Sequence, residues 1–283
     1  VTFNFNNYGR IKNISLKKNL ESHKLIENYM ILANICVANK LVKSKRKAIY
    51  RIHDKPSSDK MFEFYNTAKS LDLNLLNYTL INTELFNKLF ELNNLKYSKS
   101  TINQLILRSQ SQAEYSSDNK GHFGLSLKNY THFTSPIRRY SDLITHRILI
   151  DICELNNKQS TIYDKLDSVA KKLSINERNT VLAERDIKDK LIALYFSKKE
   201  KISFTAHISY VARYGLFVTL DKYNIDGLLT CRDLGKEYFY FDPDKNYLLG
   251  EKTKTQWKIG DKIDVFIKEV DIIQGKIKFS LKR

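Results

Sequence analysis

The sequence predicts an α+β chain in two parts: mixed helices and sheet over residues 1–200, then a five-stranded barrel of the OB class over residues 201–283. Three observations carry this. Apolar residues recur at helical spacing from Glu21 to Leu41. Ser135 and Pro136 open a second such stripe. From Lys201 the chain turns to alternating β-branched and aromatic residues broken by turns.

In ESHKLIENYMILANICVANKL, Ile26, Met30, Val37 and Leu41, with Ala33 between them, form the apolar stripe of the first helix. Glu27 and Asn34, seven residues apart, share another face of it. AIYRIH (Ala48 to His53) alternates like a short strand and stops before Pro56. Residues 60–115 hold several short amphipathic helices. HFGLSL (His122 to Leu127) reads as strand-like.

At Ser135 and Pro136 an N-cap residue precedes one well tolerated at the first helical position. The helix they start is expected to run to about Glu154, with Ile137, Tyr140, Ile144 and Ile148 as its apolar stripe. Another helix begins near Thr161. Ser174 and Glu177 have the spacing of a capping box, so a further helix is expected from there to about Ser197. Both are read as packing elements. In the tail, ISFTAHISYVARYGLFVTL, DGLLT, KIDVFIKEVD and KIKFSL supply five short strands, with the domain boundary near Lys198 to Lys201.

Charge narrows the partner. Lys and Arg number 48 against 31 Asp and Glu, a net charge of +17. Residues 1–200 carry +13 of it and residues 201–283 carry +4. Such an excess favours a polyanion, nucleic acid ahead of an anionic membrane; lysines spread over solvated faces would be the alternative. Cys36, Cys153 and Cys231 lie too far apart for a C-x-x-C motif, so a reducing cytoplasm is expected. No stretch is read as approaching the roughly 20 apolar residues of a membrane span. The chain is expected to be soluble and monomeric. It opens on Val1, which suggests a fragment.

The chemistry concentrates in HFTSPIRRYSD, His132 to Asp142. A helix start attracts phosphate through free N–H groups and its dipole. Arg138 and Arg139 would add charge-assisted, bidentate bonds to phosphate oxygens. Asp142, four and three residues further on, can aim either arginine. An exposed ion pair at a helix start, worth under about 1 kcal/mol, would be the alternative.

The longer segment GHFGLSLKNYTHFTSPIRRYSDLITHR (Gly121 to Arg147) resembles the signature of the RNB catalytic domain of the ribonuclease II and ribonuclease R family. IENYMILANICVA, YRIHDKP and AERDIKD resemble further segments of that family in order, and the tail is similar to an S1 domain, an RNA-binding OB fold. The resemblance implies a magnesium-dependent 3′→5′ exoribonuclease that threads single-stranded RNA and releases nucleoside 5′-monophosphates. It assigns Arg138 as the catalytic arginine that steadies the phosphate and Glu27 as a contact to the terminal nucleotide. His132, Ser135 and Arg139 would line the phosphate path. Phe204, His207, Tyr214 and Phe217 are candidates to stack bases, with barrel core as the alternative for Phe204 and Phe217.

One departure stands out. The family's metal-holding aspartates lie upstream of the helix with Glu27, and nothing resembling them is present; Asp54, Asp59 and Asp118 are scattered. An arginine stabilises charge but cannot generate hydroxide. The metal ligands are therefore expected in a missing N-terminal part of the same enzyme, and this chain alone is expected to be inactive. A catalytically silent RNA-binding protein is the second hypothesis. A translation factor using the barrel alone is the third, and it leaves Gly121 to Arg147 unexplained.

Overall fold

The computed structural model describes residues 1–17, 19–71, 83–92, 99–155, 165–199, 202–243 and 245–281. The helix start expected near Thr161 lies outside them, as do Glu200 and Lys201 at the expected boundary.

An antiparallel hairpin, β1 (Thr2–Phe5) and β2 (Ile11–Ser15), precedes helix α1 (Glu21–Lys43). Glu21 in the first turn of α1 and Lys40 and Lys43 in the last match the helix dipole. Its buried residues are Asn34, Val37, Ala38 and Leu41. The stripe expected from sequence is thus buried only in its second half, and Ile26 stays 59% exposed. By length and composition α1 could cross a bilayer, which corrects the expectation that no stretch comes near that limit. In the fold, however, its Asn34 is buried and hydrogen-bonded to Tyr130 and Phe133 of another segment.

Strand β3 (Tyr50–Ile52) pairs antiparallel with β4 (Glu114–Ser116), and between them lie α2 (Ser58–Ser70), α3 (Thr83–Leu92) and α4 (Lys99–Ser109). The segment read as a strand, HFGLSL, instead holds a 3-10 turn, Phe123–Leu125, ended by Ser126 at φ 55°. The reason is tertiary: the Gly124 N–H donates to His53 Nδ1 at 2.8 Å, and a Cβ on Gly124 would lie 2.7 Å from that nitrogen.

Helix α5 spans Tyr140–Ile152 and α6 spans Leu166–Phe196. Helix α5 begins four residues later than expected, so Ile137 and Tyr140 are exposed while Ile144 and Ile148 are fully buried. Helix α6 is continuous through Ser174, so no helix starts there. The Ser174 hydroxyl bonds back to the Ala170 carbonyl at 3.0 Å and accepts the Tyr115 N–H at 2.8 Å, a mid-helix arrangement. Glu177, free of any capping role, pairs with Arg51.

After α6 comes a closed five-stranded barrel in the order β11-β12-β7-β6-β5. Its strands are β5 (Ser203–Ala212), β6 (Gly215–Leu220), β7 (Ile225–Thr230), β11 (Lys262–Asp271) and β12 (Lys276–Leu281). Gly227 is obligatory inside it, since a Cβ there would sit 2.3 Å from the Phe279 ring. Between β7 and β11 lie a short helix, α7 (Cys231–Leu234), and an additional antiparallel sheet of β8 (Phe239–Asp242), β9 (Tyr247–Gly250) and β10 (Gln256–Lys258).

Two apolar cores result. One joins α1, β3, β4, α5 and the start of α6 through Leu41, Ile52, Ile144 and Leu166. The other runs from α2–α4 into the barrel without a break, and Phe196 at the end of α6 packs against Phe204 and Tyr223 of the barrel side.

Candidate functional site

Residues 130–139 form an extended loop and turn fastened to three elements. Along β3, the Arg51 N–H donates to the Tyr130 carbonyl at 2.9 Å and the Thr131 hydroxyl to the Ile49 carbonyl at 2.7 Å. From α1, the Asn34 amide donates to Tyr130 Oη at 3.1 Å and accepts the Phe133 N–H at 3.0 Å. From α5, the His146 ring stacks on Phe133 at 4.2 Å, with its Nε2 2.9 Å from the Phe133 carbonyl oxygen. A loop tied at so many points holds its side chains in place before any ligand arrives.

Asp142 anchors the turn that follows. Its carboxylate is fully buried. Oδ1 accepts the Ser135 N–H at 2.8 Å and Arg139 Nη2 at 2.7 Å, while Oδ2 accepts the Ser141 hydroxyl at 3.0 Å. This explains the late helix start: Asp142 draws Ser135 into a turn closed by the Arg138 and Arg139 N–H groups on the Ser135 carbonyl. Ser135 therefore does not cap a helix, and the arginines precede α5 rather than standing in its first turn; Arg139 is its N-cap. Asp142 aims Arg139, not Arg138.

A cleft of about 450 Å³ opens between α1 and this loop, lined among others by Glu27, Asn34, Tyr130, Thr134 and Arg139. Arg139 Nε and Thr134 Oγ1 are buried and have no hydrogen-bond partner among the described residues. Buried polar atoms are nearly always satisfied, so two together on one cleft mark it as a place for an oxygen-rich ligand. The structure thus unites Glu27 with Arg139. Arg138 is exposed on the same turn without an ion pair to a described residue, and neither it, His132 nor Ser135 lines the cleft.

Behind the loop, His132 Nδ1 lies 2.8 Å from the Tyr115 hydroxyl. Tyr115 carries the Arg51 guanidinium 4.7 Å from its ring centre, and Arg51 is held by Glu177 through bonds of 2.5 and 3.0 Å. Burial, then Arg139 and Arg51, push the His132 imidazole down to about 3; burial, then His53 and Arg51, push His122 down to about 4. His132 is therefore neutral near pH 7 and stands behind the cleft rather than on its wall. Unfolding frees both rings to take protons below their ordinary value of about 6.5. The stability this contributes is complete above that value and falls as the pH drops through 6.5 toward 4 and then 3. The urea midpoint is expected to be lower at roughly pH 5 than at pH 7.5, with a smaller difference in His132→Gln. Equal midpoints in the parent chain would contradict neutral imidazoles.

On the barrel, the sequence candidates separate. Phe204 packs on Phe196 and Tyr223 at 5.7 and 6.2 Å and belongs to the contact with α6, not to a stacking face. His207 is 8% exposed with Nδ1 2.7 Å from Asp221 Oδ1, so its ring is closed to a base. Tyr214 is 59% exposed and its ring lies 6.1 Å from Phe217. Sequence reasoning missed Thr134, although it stands inside the segment that drew attention to the site, and Tyr130, two residues before that segment. It also missed Tyr210: a bulge between Ile208 and Tyr210 breaks the alternation of β5, so Tyr210 is exposed although Ala206 and Ile208 are buried.

Among the described residues, no group of three or more His, Cys, Asp or Glu side chains could hold a metal ion.

A family model described as the RNB domain matches residues 1–154, and one described as the S1 RNA binding domain matches residues 198–282. A ribonuclease R of Buchnera aphidicola subsp. Schizaphis graminum is 38% identical over 276 residues, which cover 96% of this chain and 38% of that protein. Ribonuclease R of Escherichia coli K12 is 35% identical over 289 residues, covering 99% and 36%. The solved structure of Mycoplasma genitalium RNase R in complex with ribose methylated single-stranded RNA superposes with a TM-score of 0.90 at 29% identity, covering 99% of this chain and 45% of that one. The chain spans less than two fifths of the length of these two curated relatives.

Proposed function

Because the chain belongs to the RNB family, with an S1 barrel behind its RNB segment, we propose that it is the RNA-gripping part of a 3′→5′ exoribonuclease acting on single-stranded RNA. The observation that carries this is the cleft in which Arg139 Nε and Thr134 Oγ1, both buried and unpaired, face Glu27. The two donors suit phosphate oxygens, and the carboxylate suits the hydroxyls of a ribose. Arg138, exposed on the same turn, is the free guanidinium that would meet charge developing on a scissile phosphate.

The magnesium implied by the resemblance does not fit the residues present, since no acidic cluster exists among those described. Water activation is accordingly not assigned to any side chain here. This favours a division of labour: this chain holds and positions RNA, and hydrolysis requires carboxylates from elsewhere in the enzyme. The free thiols of Cys36, Cys153 and Cys231 suit a reducing compartment, and we place the protein in the cytoplasm.

The test is an anisotropy titration of a fluorescein-labelled oligouridylate with the 283-residue chain, followed by chromatography of the mixture after magnesium is added. Salt-sensitive binding without mononucleotide release is expected. Release of 5′-mononucleotides would overturn the division of labour, and absence of binding would overturn the RNA-gripping role.

A further inference from the structure

A second cleft, of about 890 Å³, separates α4 and α6 from the barrel. Arg108 of α4, Arg185 and Asp189 of α6, and Tyr214, Phe217 and Lys276 of the barrel stand on its walls. Three rings run along the barrel side: Phe217 lies 6.0 Å from Tyr210 and 6.1 Å from Tyr214. Tyr210 is 41% exposed. The Arg108 guanidinium crosses from α4 to lie 4.6 Å from the Tyr210 ring centre. A guanidinium that meets a ring through one face keeps the N–H groups in its own plane available to other partners.

The acids on the walls do not cancel these cations. Four cations, Arg108, Arg185, Lys276 and Lys278, stand on the walls against two acids, Asp189 and Asp226. Aromatic faces with guanidinium groups beside them are what an unpaired, charged strand requires: the rings take bases, and the cations take the phosphates between them.

We infer that this cleft is a single-stranded RNA site assembled jointly by the helical layer and the barrel, in which Arg108 contacts a phosphate and Tyr210 positions Arg108. Bases stack on Phe217 and Tyr214. The inference rests on the RNA-binding reading above, but it adds a contact from outside the barrel and a ring, Tyr210, outside the sequence candidates.

Affinity of the full chain for a fluorescein-labelled oligouridylate, measured across a salt series, tests it. Arg108→Ala is expected to weaken binding about five- to tenfold and to lower the slope of log affinity on log salt by about 0.7, the share of one single-strand phosphate. Arg108→Lys should keep the slope, and Tyr210→Leu should weaken binding with a smaller change in slope. Unaltered affinity and slope in Arg108→Ala, alongside weaker binding in Tyr214→Ala, would overturn the joint site while leaving the barrel an RNA binder. If Tyr214→Ala and Arg139→Ala also bind as the parent does, the underlying RNA reading fails instead. Competition by polyglutamate as strong as that by unlabelled oligouridylate would show an acidic-peptide surface and likewise overturn the inference.

Discussion

Asp142→Ala is expected to lower the free energy of unfolding by about 3–5 kcal/mol, because it leaves the partly buried Arg139 guanidinium without its carboxylate. It also removes the acceptor for the Ser135 N–H and the Ser141 hydroxyl. A fall in the urea midpoint at unchanged slope would register this. A second variant separates architecture from ligand binding. Asp142→Leu combined with Arg139→Met replaces the pair by apolar groups and should recover the part of the stability lost to the unpaired guanidinium, though not the part lost with the acceptor for Ser135 and Ser141. It should not recover RNA affinity, since the donor on the cleft is gone. Restored affinity in that double variant would refute the role of Arg139.

The other large effect concerns Arg138. In an enzyme that contains this segment and hydrolyses RNA, Arg138→Ala is expected to lower kcat by about 10² to 10³, the usual cost of one donor aimed at developing charge. RNA affinity should change by less than about threefold, because an interaction made mainly in the transition state leaves ground-state binding almost untouched. Arg138 is exposed and free of ion pairs to the described residues, so stability should hold and the kinetic effect will not be confused with unfolding. Single-turnover rates beside equilibrium titrations provide the check. Unchanged turnover would remove Arg138 from the chemistry.

What could be read in the sequence was whatever local pattern decides. The first helix, the short strand near Tyr50 and the barrel strands follow from periodicity, and all five strands close as a barrel. The HFTSPIRRYSD segment stood out because its residue types suit phosphate. Where long-range contacts decide, the pattern misled. Ser135 and Pro136 have the chemistry of a helix start, yet the Asp142 carboxylate reaches back seven residues and makes a turn of them. Ser174 and Glu177 have capping-box spacing, but each serves another element, Tyr115 and Arg51. Strand alternation in HFGLSL yields to the bond between Gly124 and His53. The stacking candidates divide for the same reason: nothing local to Phe204 or His207 announces Phe196 and Asp221 as their neighbours.

Helix α6 has a mechanical consequence. Ser174 bonds to Tyr115 of β4, whose hydroxyl meets His132 behind the first cleft, and further along Asp189 meets Gly275 between the last two barrel strands. About 22 Å of uninterrupted helix lies between these points, at 1.5 Å per residue. If both clefts hold RNA as proposed, they are mounted on one rigid strut, which acts as a ruler. It fixes the length of strand that can be held taut between them, and so the shortest overhang the protein can grip at both places at once.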